Sequence, residues 1–564
     1  MKMKIKLQRN ESLAGWVITI ILSLLVLAPL GSVLIQVFYP GLFFGNRQFG
    51  QLDLLLEVFK RPFWQRALQN SLLLSTCTAI MGTLLGTALA IYRSRWQFPT
   101  AKWLDLSVWI LFITPSFIIA QGWVLFAAHN GVFQQIIGTD ILSSFIFHPT
   151  GLVFIMMLSK FPLAYLAVSG ALKWKVDDLS HAARLAGASV WRTWLTVHIP
   201  LLKPSIVAGA VLVFMDTIGD FGLPAAISTI YRFPTLPYAI YSAIYTSPIR
   251  FDMAGVLSFY LVLIILLAIL VQFYIMKGAR YDSLSARAIR TIPVNTASKS
   301  YIAMLFNLLF LTIIIGIPIG STIYISFVHE LAAGFSIQNL TLTHYAQLFS
   351  IDSLFIDSLL RSLKISSIAA LGGLLLGLTI AYVLVFAPFR FKYFLETVSL
   401  ISLAVPGVVL GIGYIFFWNQ SWLEPLGLLL YGQPSILIVA GVAGAIPLIT
   451  RIISGTIASI PRAMLDVAQL QGMSLGKRIT YILLPLCKSA VVTAALSAFG
   501  ASMFDLAVNT ILFPTGHQTL PLLINKAFEN FQFGYASAAT ISGGAIVTTI
   551  IVIINKIMHI KVRK

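Results

Sequence analysis

Twelve apolar stretches, six in each half of the chain, constrain its fold more than any other feature of the sequence. A helix needs about 20 apolar residues to cross the hydrocarbon core of a bilayer. Charged residues make up only 10% of the chain, against roughly 25% in a soluble domain. The stretches lie near 14–38, 67–92, 104–128, 148–172, 204–228 and 253–276, and near 302–327, 358–384, 396–418, 435–459, 488–513 and 535–557. The sequence therefore predicts an all-α polytopic membrane protein.

An internal repeat relates the two halves of the chain. The matching pairs are Gly82 with Gly373, Pro115 with Pro406, Gly122 with Gly413, Pro162 with Pro447 and Asp220 with Asp505. The offset is 291 for the first three pairs and 285 for the last two. Because each half contains an even number of spans, both copies cross the membrane in the same direction, as parallel repeats do. We expect a first module over 1–276, a polar linker over 277–300 and a second module over 301–564.

One segment of the repeat matches without a gap. Residues 181–200 read HAARLAGASVWRTWLTVHIP and residues 466–485 read DVAQLQGMSLGKRITYILLP. An ungapped match at this distance indicates two equivalent modules. A glycine divides each copy, and glycine adopts the positive φ of a sharp turn without strain. The pattern predicts two short helices hinged at Gly187 and at Gly472, with Pro200 and Pro485 ending the surface helix before the next span.

The distribution of lysine and arginine predicts the orientation of the chain. With the N-terminus inside the cell, the cytoplasmic segments hold about three times as many of these residues as the outer segments, as the positive-inside rule requires. Both termini and both repeated loops, near 173–203 and 460–487, are therefore expected on the cytoplasmic side of the inner (cytoplasmic) membrane. The net charge of +19 is explained by topology, so no nucleic-acid partner is predicted.

The paired loops resemble the cytoplasmic coupling loop of ABC importer permeases, the EAA loop of the binding-protein-dependent transport family. That pattern runs Glu-Ala-Ala-x3-Gly-x9-Ile-x-Leu-Pro, and the loop sits in a groove of the ATP-binding subunit. The resemblance implies a type I importer permease with two six-helix modules fused in one chain. It assigns ATPase-coupling roles to His181, Ala182, Ala183, Gly187 and Pro200 in the first copy, and to Asp466, Val467, Ala468, Gly472 and Pro485 in the second.

Two departures from the family pattern distinguish the copies. His181 stands at the acid position of the first copy. The second copy keeps an acid, Asp466, but has Val467 where the pattern has alanine. We therefore expect disruption of the second loop to damage ATPase coupling more.

The resemblance also implies partners, because the chain lacks its own source of energy. A phosphate-binding Walker A loop requires G-x-x-x-x-G-K-[ST], and the nearest match, Gly472–Arg478, is one residue short and ends in arginine. ATP hydrolysis is thus expected in two copies of a separate ATP-binding cassette subunit, and substrate delivery from an extracytoplasmic binding protein. The histidines lack the i, i+4 spacing of a zinc helix. No catalytic residue, metal site or cofactor is predicted.

Four ionisable residues are expected within or near the spans, where a charge costs about 2.5–3.5 kcal/mol on insertion scales. They are Lys160, Asp216, Asp220 and Asp505. Such groups normally face the interior of a helix bundle, so these residues are candidates for the translocation pathway. The alternative is that Asp220 and Asp505 bond to neighbouring helices or cap a helix break.

The resemblance leaves the substrate open. A single fused chain of this size is most similar to the ferric iron permeases, with thiamine, 2-aminoethylphosphonate and polyamine permeases as alternatives. In this family an external binding protein largely selects the substrate. An ion-driven secondary transporter is the alternative class, and it would typically have inverted repeats and no ATPase contact.

Overall fold

The computed structural model describes residues 2–39, 53–172, 182–228, 232–276 and 297–560. Within these ranges the chain forms helices and turns, with one isolated bridge between Val328 and Leu340. The long helices are α1 (Ser12–Phe38), α2 (Pro62–Arg95), α3 (Ala101–Ile113), α4 (Ser116–Ala127), α5 (Pro149–Leu172), α6 (Val190–Ile218), α7 (Phe251–Met276), α8 (Ser300–Ser326), α9 (Leu354–Val385), α10 (Lys392–Ala404), α11 (Gly407–Trp418), α12 (Ser435–Ile457), α13 (Gly476–Leu486), α14 (Lys488–Met503) and α15 (Phe533–Met558). The shorter helices include Asp53–Lys60, Val132–Ile137, Ile141–Ile146, Gly222–Ser228, Leu236–Tyr245, Thr343–Leu348, Arg462–Leu470, Leu506–Leu512 and Leu520–Glu529.

The number of membrane-spanning helices agrees with the sequence. Among the described residues, ten helices are long and apolar enough to cross a membrane, and the count rises to twelve if each of two bent helix pairs forms one span. Backbone groups in lipid must be hydrogen-bonded within the protein, which helices achieve by themselves. The prediction of an all-α polytopic protein with about twelve spans is confirmed.

Two of the expected spans, near 104–128 and 396–418, contain a helix break that the apolar pattern did not predict. The breaks fall at Pro115, between α3 and α4, and at Pro406, between α10 and α11. A proline disfavours helical ψ in the residue before it, and Thr114 and Val405 have ψ of 128° and 123°. The second pair is bent by 111°.

The helices at the spans expected near 204–228 and 488–513 end about ten residues earlier than predicted. Helix α6 ends at Ile218 and α14 ends at Met503. Each is followed by a turn and then by a short helix, Gly222–Ser228 or Leu506–Leu512. Apolar residues continue on both sides of each turn, so the expected spans extended through the turns, and the aspartate in each turn was the sequence signal for a break.

Four other prolines remain inside continuous helical chain because a π turn precedes each of them. The π turns cover Ser23–Leu27, Trp194–His198, Thr312–Gly316 and Ile479–Leu483, and Pro29, Pro200, Pro318 and Pro485 each follow two residues later. A proline ring clashes with the carbonyl four residues before it in an α-helix, and the wider turn relieves this clash. The carbonyl of Leu25, four residues before Pro29, accepts a hydrogen bond from the Tyr414 hydroxyl at 3.0 Å.

Contacts divide the chain into two compact units that exchange helices between the halves. The second-half unit contains Met1–Leu56, Ile240–Phe259 and Leu342–Lys564, and the first-half unit contains Glu57–Ala239 and Tyr260–Thr341. Helix α1 thus belongs with the second half and α8 with the first. Most of the expected linker, residues 277–296, lies outside the described residues.

Equivalent glycines hold the two exchanged helices. A Cβ on Gly413 of α11 would lie 2.6 Å from the Pro29 carbonyl oxygen of α1. A Cβ on Gly122 of α4 would overlap the backbone of Pro318 in α8. Small residues allow helix backbones to approach closely in membranes. The two contacts are therefore equivalent under the repeat, and each joins a glycine of one half to a proline-bearing helix of the other half.

We expect Gly413→Ala to destabilise the chain, since the added methyl group must displace the Pro29 backbone. Overpacking of this kind costs about 1–3 kcal/mol. Gly444→Ala in α12 is the matched control, because a Cβ there meets nothing within 4 Å. Thermal unfolding of the full chain in detergent should show a lower Tm for Gly413→Ala and an unchanged or higher Tm for Gly444→Ala. Equal Tm values would contradict this packing argument.

Candidate functional site

The first repeated loop forms a compact turn that we call the first knuckle, residues 182–200. Residues 182–185 are helical. The Gly187 amide donates to the Arg184 carbonyl and the Ala188 amide donates to the Ala183 carbonyl, both at 3.0 Å. The second bond closes a Schellman turn, which satisfies carbonyls that a helix end leaves free. Ser189 then caps the next helix by accepting from the Arg192 amide at 3.3 Å.

The second knuckle, residues 462–485, repeats this turn bond for bond. Its first helix is Arg462–Leu470. The Gly472 amide donates to the Gln469 carbonyl at 3.0 Å, and the Met473 amide donates to the Ala468 carbonyl at 3.1 Å. These partners lie 285 positions after those of the first knuckle. The prediction of a glycine hinge in both copies is confirmed.

Backbone conformation, rather than lack of space, requires glycine at the two hinges. Gly187 has φ of +86° and Gly472 has φ of +81°. A Cβ added at either position would meet no atom within 4 Å. Left-handed backbone costs an L-residue with a side chain roughly 1–2 kcal/mol. The glycines therefore fix the direction in which the chain leaves the first helix of each knuckle.

Each knuckle exposes a leucine that sequence reasoning missed. Leu185 is 90% exposed and Leu470 is 76% exposed, and the two occupy equivalent positions two residues before the hinge glycines. Trp191 adds a second exposed apolar side chain to the first knuckle. Both turns therefore present an exposed apolar side chain at the same position of the repeat. The ungapped repeat contained this signal, since leucine occurs at the same position in both copies.

Different contacts brace the two knuckles. In the first, the Arg95 guanidinium lies 4.1 Å from the centroid of the Trp194 ring, which stacks on His198. In the second, Arg462 donates to the Phe386 carbonyl at the end of α9 at 3.1 Å, and the buried Arg478 contacts Gln469. A residue outside each knuckle thus holds it in place, Arg95 for the first and Phe386 for the second.

The remaining residues assigned by resemblance have varied surroundings. His181 lies outside the described residues. Ala182, Gly187, Asp466, Val467 and Gly472 are exposed, whereas Ala183 is half-buried and Ala468 is buried.

The prediction that Pro200 ends the surface helix is wrong, because α6 runs through it from Val190 to Ile218. Pro485 also lies inside a helical segment, and the chain bends by 90° only at Cys487, between α13 and α14. The π turns explain both results, since they admit a proline without ending the helix.

Three of the four intramembrane charges form one cluster in the first-half unit. Lys160 Nζ lies 2.6 Å from Asp216 Oδ2 and 2.6 Å from Asp220 Oδ2. The side chains of Lys160 and Asp220 are 11% and 4% exposed, and that of Asp216 is 50% exposed. Asp220 Oδ1 also accepts from the Ser116 hydroxyl at 2.8 Å. The lysine thus compensates a buried carboxylate.

Asp220 and Asp505 both cap the short helix that follows a break. Asp220 Oδ1 accepts from the Leu223 amide and Asp505 Oδ1 accepts from the Val508 amide, each at 3.1 Å. The helix-capping alternative is therefore confirmed for both residues. A place in the translocation pathway is compatible with capping and stays a prediction.

A polytopic helical protein with two repeated modules, each presenting a braced apolar knuckle, has the organisation of a fused transport permease. The family of binding-protein-dependent transport system inner membrane components matches the chain twice, over residues 82–281 and 373–564. The chain belongs to this family. It is a multi-pass, two-module permease of an ABC importer, and its family is one of transport subunits rather than of enzymes.

Two relatives match both halves of the chain. The ferric transport system permease protein FbpB of Actinobacillus pleuropneumoniae is 25% identical over 540 residues, which cover 94% of this chain and 76% of the relative. A putative ferric transport system permease protein FbpB 1 of Haemophilus influenzae is 25% identical over 503 residues, covering 88% and 76%. The molybdenum transport system permease protein ModB of Escherichia coli is 29% identical over 189 residues, 33% of this chain and 81% of the relative.

We expect Gly472→Ala to loosen the second knuckle, because alanine strains the positive φ. A loss of about 1–2 kcal/mol corresponds to roughly 5- to 30-fold faster hydrogen exchange by local opening at the Met473 amide. Gly472→Asn should restore most of the protection, since asparagine tolerates this conformation. Gly476→Ala is the control, with open space and no positive φ. Similar exchange in Gly472→Ala and Gly476→Ala would count against the hinge.

Proposed function

We propose that this chain forms the translocation pathway of its importer and couples it to two copies of an ATP-binding cassette subunit, one at each knuckle. The equivalence of the knuckles carries this proposal. Both have the same glycine turn, and both expose a leucine two residues before it. Two identical partner subunits require two similar docking surfaces, and the repeat provides them.

The connection of each knuckle to a spanning helix supports a mechanical role. The first knuckle continues into α6 without a break, and the second joins α14 through the bend at Cys487. Closure of the ATPase pair on ATP would push both knuckles and shift these helices, driving the permease from inward-facing to outward-facing. Because the knuckles are braced, they transmit the displacement instead of absorbing it.

The far ends of these two helices support a pathway role for the intramembrane charges. Helix α6 ends at Ile218, just before Asp220, and α14 ends at Met503, just before Asp505. Lys160 and Asp216 complete the cluster at the first of these positions. Movement of either helix therefore changes the surroundings of a carboxylate, as alternating access to a pathway requires.

The lysine and arginine distribution supports the orientation of the complex. Both knuckles and both termini lie in the cytoplasm in our proposal, where the ATPase subunits meet them. An extracytoplasmic binding protein then delivers the substrate at the opposite face. The family's description as binding-protein-dependent agrees with this arrangement.

Leu470→Asp should weaken association with the ATPase subunit, since it places a charge on the apolar docking surface. Loss of an interface hot spot costs about 2 kcal/mol or more, or at least roughly tenfold in affinity. Leu185→Asp should have a smaller effect, because the first copy departs from the family pattern at His181. The readouts are copurification of the ATPase subunit and ATP hydrolysis of the complex in nanodiscs.

Leu426→Asp is the matched control for both leucine variants. Leu426 is 64% exposed, and helix α12 separates it along the chain from the second knuckle. If all three variants retain the ATPase subunit equally, docking through the knuckles is wrong. Equal losses for Leu470→Asp and Leu185→Asp would contradict only the asymmetry.

Ferric iron is the substrate that we propose. The support is that two relatives matching most of the chain are named as ferric transport permeases. Of the four ionisable residues within or near the spans, three are carboxylates. Carboxylate oxygens suit a cationic cargo.

We expect proteoliposomes containing the complete importer and its binding protein to take up radioactive ferric iron when ATP is supplied. Binding of ferric iron to the purified binding protein provides an independent readout. An ATPase-inactive complex is the control for leakage. Uptake of thiamine, 2-aminoethylphosphonate or a polyamine without uptake of iron would overturn the substrate assignment and leave the coupling proposal intact.

A further inference from the structure

A pocket in the second-half unit has a lining rich in side-chain oxygen atoms. Its polar lining residues are Ser362, Ser366, Ser502, Asp505, Asn509 and Thr519. Ser366 Oγ, Asn509 Oδ1 and Thr519 Oγ1 are buried without a hydrogen-bond partner. These three residues are only 1%, 7% and 1% exposed. Buried polar atoms are normally satisfied, so the three oxygens leave this pocket able to accept a ligand.

The surroundings of Asp505 indicate the charge of such a ligand. The Asn509 amino group donates to the Asp505 main-chain carbonyl, which identifies Oδ1 as the free acceptor of the amide. One Asp505 carboxylate oxygen accepts from the Val508 amide. Within the described part of the chain, no lysine or arginine forms an ion pair with Asp505. A carboxylate near the membrane interior is costly without compensation.

The first-half unit compensates its equivalent carboxylate with an internal cation. Lys160 Nζ lies 2.6 Å from Asp220 there. The position equivalent to Lys160 in the second half is Ala445, at the offset of 285. One turn earlier, the pocket-lining Gly441 replaces Met156 of the first half. The second half has thus lost an ammonium group, and a smaller residue lines the space beside its carboxylate.

We propose that this pocket binds a small hard monovalent cation, Na⁺, which replaces the ammonium group of Lys160. Oxygen ligands suit hard cations. A single carboxylate balances the single positive charge of Na⁺. Divalent cations are bound tightly only by sites with more charged ligands than this one. A water molecule would satisfy the free oxygens but would leave the charge of Asp505 uncompensated.

This site shares Asp505 with the proposed pathway, but it requires neither docking of the ATPase subunits nor ferric iron. It lies where α14 ends and the helix Leu506–Leu512 begins, so the cation would stabilise the junction reached from the second knuckle. Its donor set contains one carboxylate together with hydroxyl and amide oxygens. The site therefore cannot be found in the sequence from the spacing of histidine, cysteine and acidic residues, which is how most metal sites are recognised.

Thermal unfolding of the purified full chain in Na⁺-free choline chloride and in rising NaCl, at constant ionic strength, tests the site. A ligand that binds the folded state raises Tm by mass action, and we expect a saturable rise for the unmodified chain. Ser366→Ala and Thr519→Val remove one ligand oxygen each without breaking a hydrogen bond recorded for that hydroxyl. Each should raise the half-maximal Na⁺ concentration by about tenfold, the scale expected for a group that supports a metal site.

Thr235→Val provides the matched control. Thr235 precedes Leu236, whose amide donates to Ser71, as Thr519 precedes Leu520, whose amide donates to Ser362. Its hydroxyl is also buried without a partner, but Lys160 supplies the cation in that half, so the Na⁺ response should be unchanged. Direct binding of radioactive Na⁺ gives a readout that does not depend on unfolding. Absence of saturable binding, or equal Na⁺ responses in Thr519→Val and Thr235→Val, would overturn the proposal.

Discussion

The close approach of a proline-bearing helix to a glycine is the contact on which each compact unit depends. Pro29 of α1 meets Gly413, and Pro318 of α8 meets Gly122. Only glycine allows the backbones to come so near, and close backbone packing is a main source of association between helices in lipid. Since α1 and α8 each pack with the opposite half, each unit is completed by a helix from the other half of the chain. The two fused modules therefore also exchange one helix each when they pack.

Two pairs of equivalent prolines have different outcomes in this fold, and the local turn distinguishes the pairs. Pro115 and Pro406 divide a span because the residue before each is extended. Pro200 and Pro485 are accommodated by π turns, so the helical chain continues through both prolines, to Ile218 in the first half and to the bend at Cys487 in the second. The proposed coupling depends on this connection, because a displaced knuckle would have to move the helix that follows it. The backbone thus joins each knuckle to the helix that follows it.

The repeat is preserved in the backbone and altered in the charges. Both knuckles and both helix caps recur with the same hydrogen bonds. Lys160 and Asp216, however, have alanines at the equivalent positions, which leaves Asp505 without the partner that Asp220 has. A pseudosymmetric framework therefore surrounds the two carboxylates with different electrostatic environments.

The sequence by itself determined the membrane class, the approximate spans, the parallel repeat and the hinge glycines, because these depend on local composition and on patterns that recur along the chain. It also located Asp220 and Asp505. Only the tertiary structure decided the helix breaks, the exchange of α1 and α8, the exposure of Leu185 and Leu470, and the pocket beside Asp505. These features arise from contacts between residues far apart in the chain, such as Pro29 with Gly413, which no local pattern encodes.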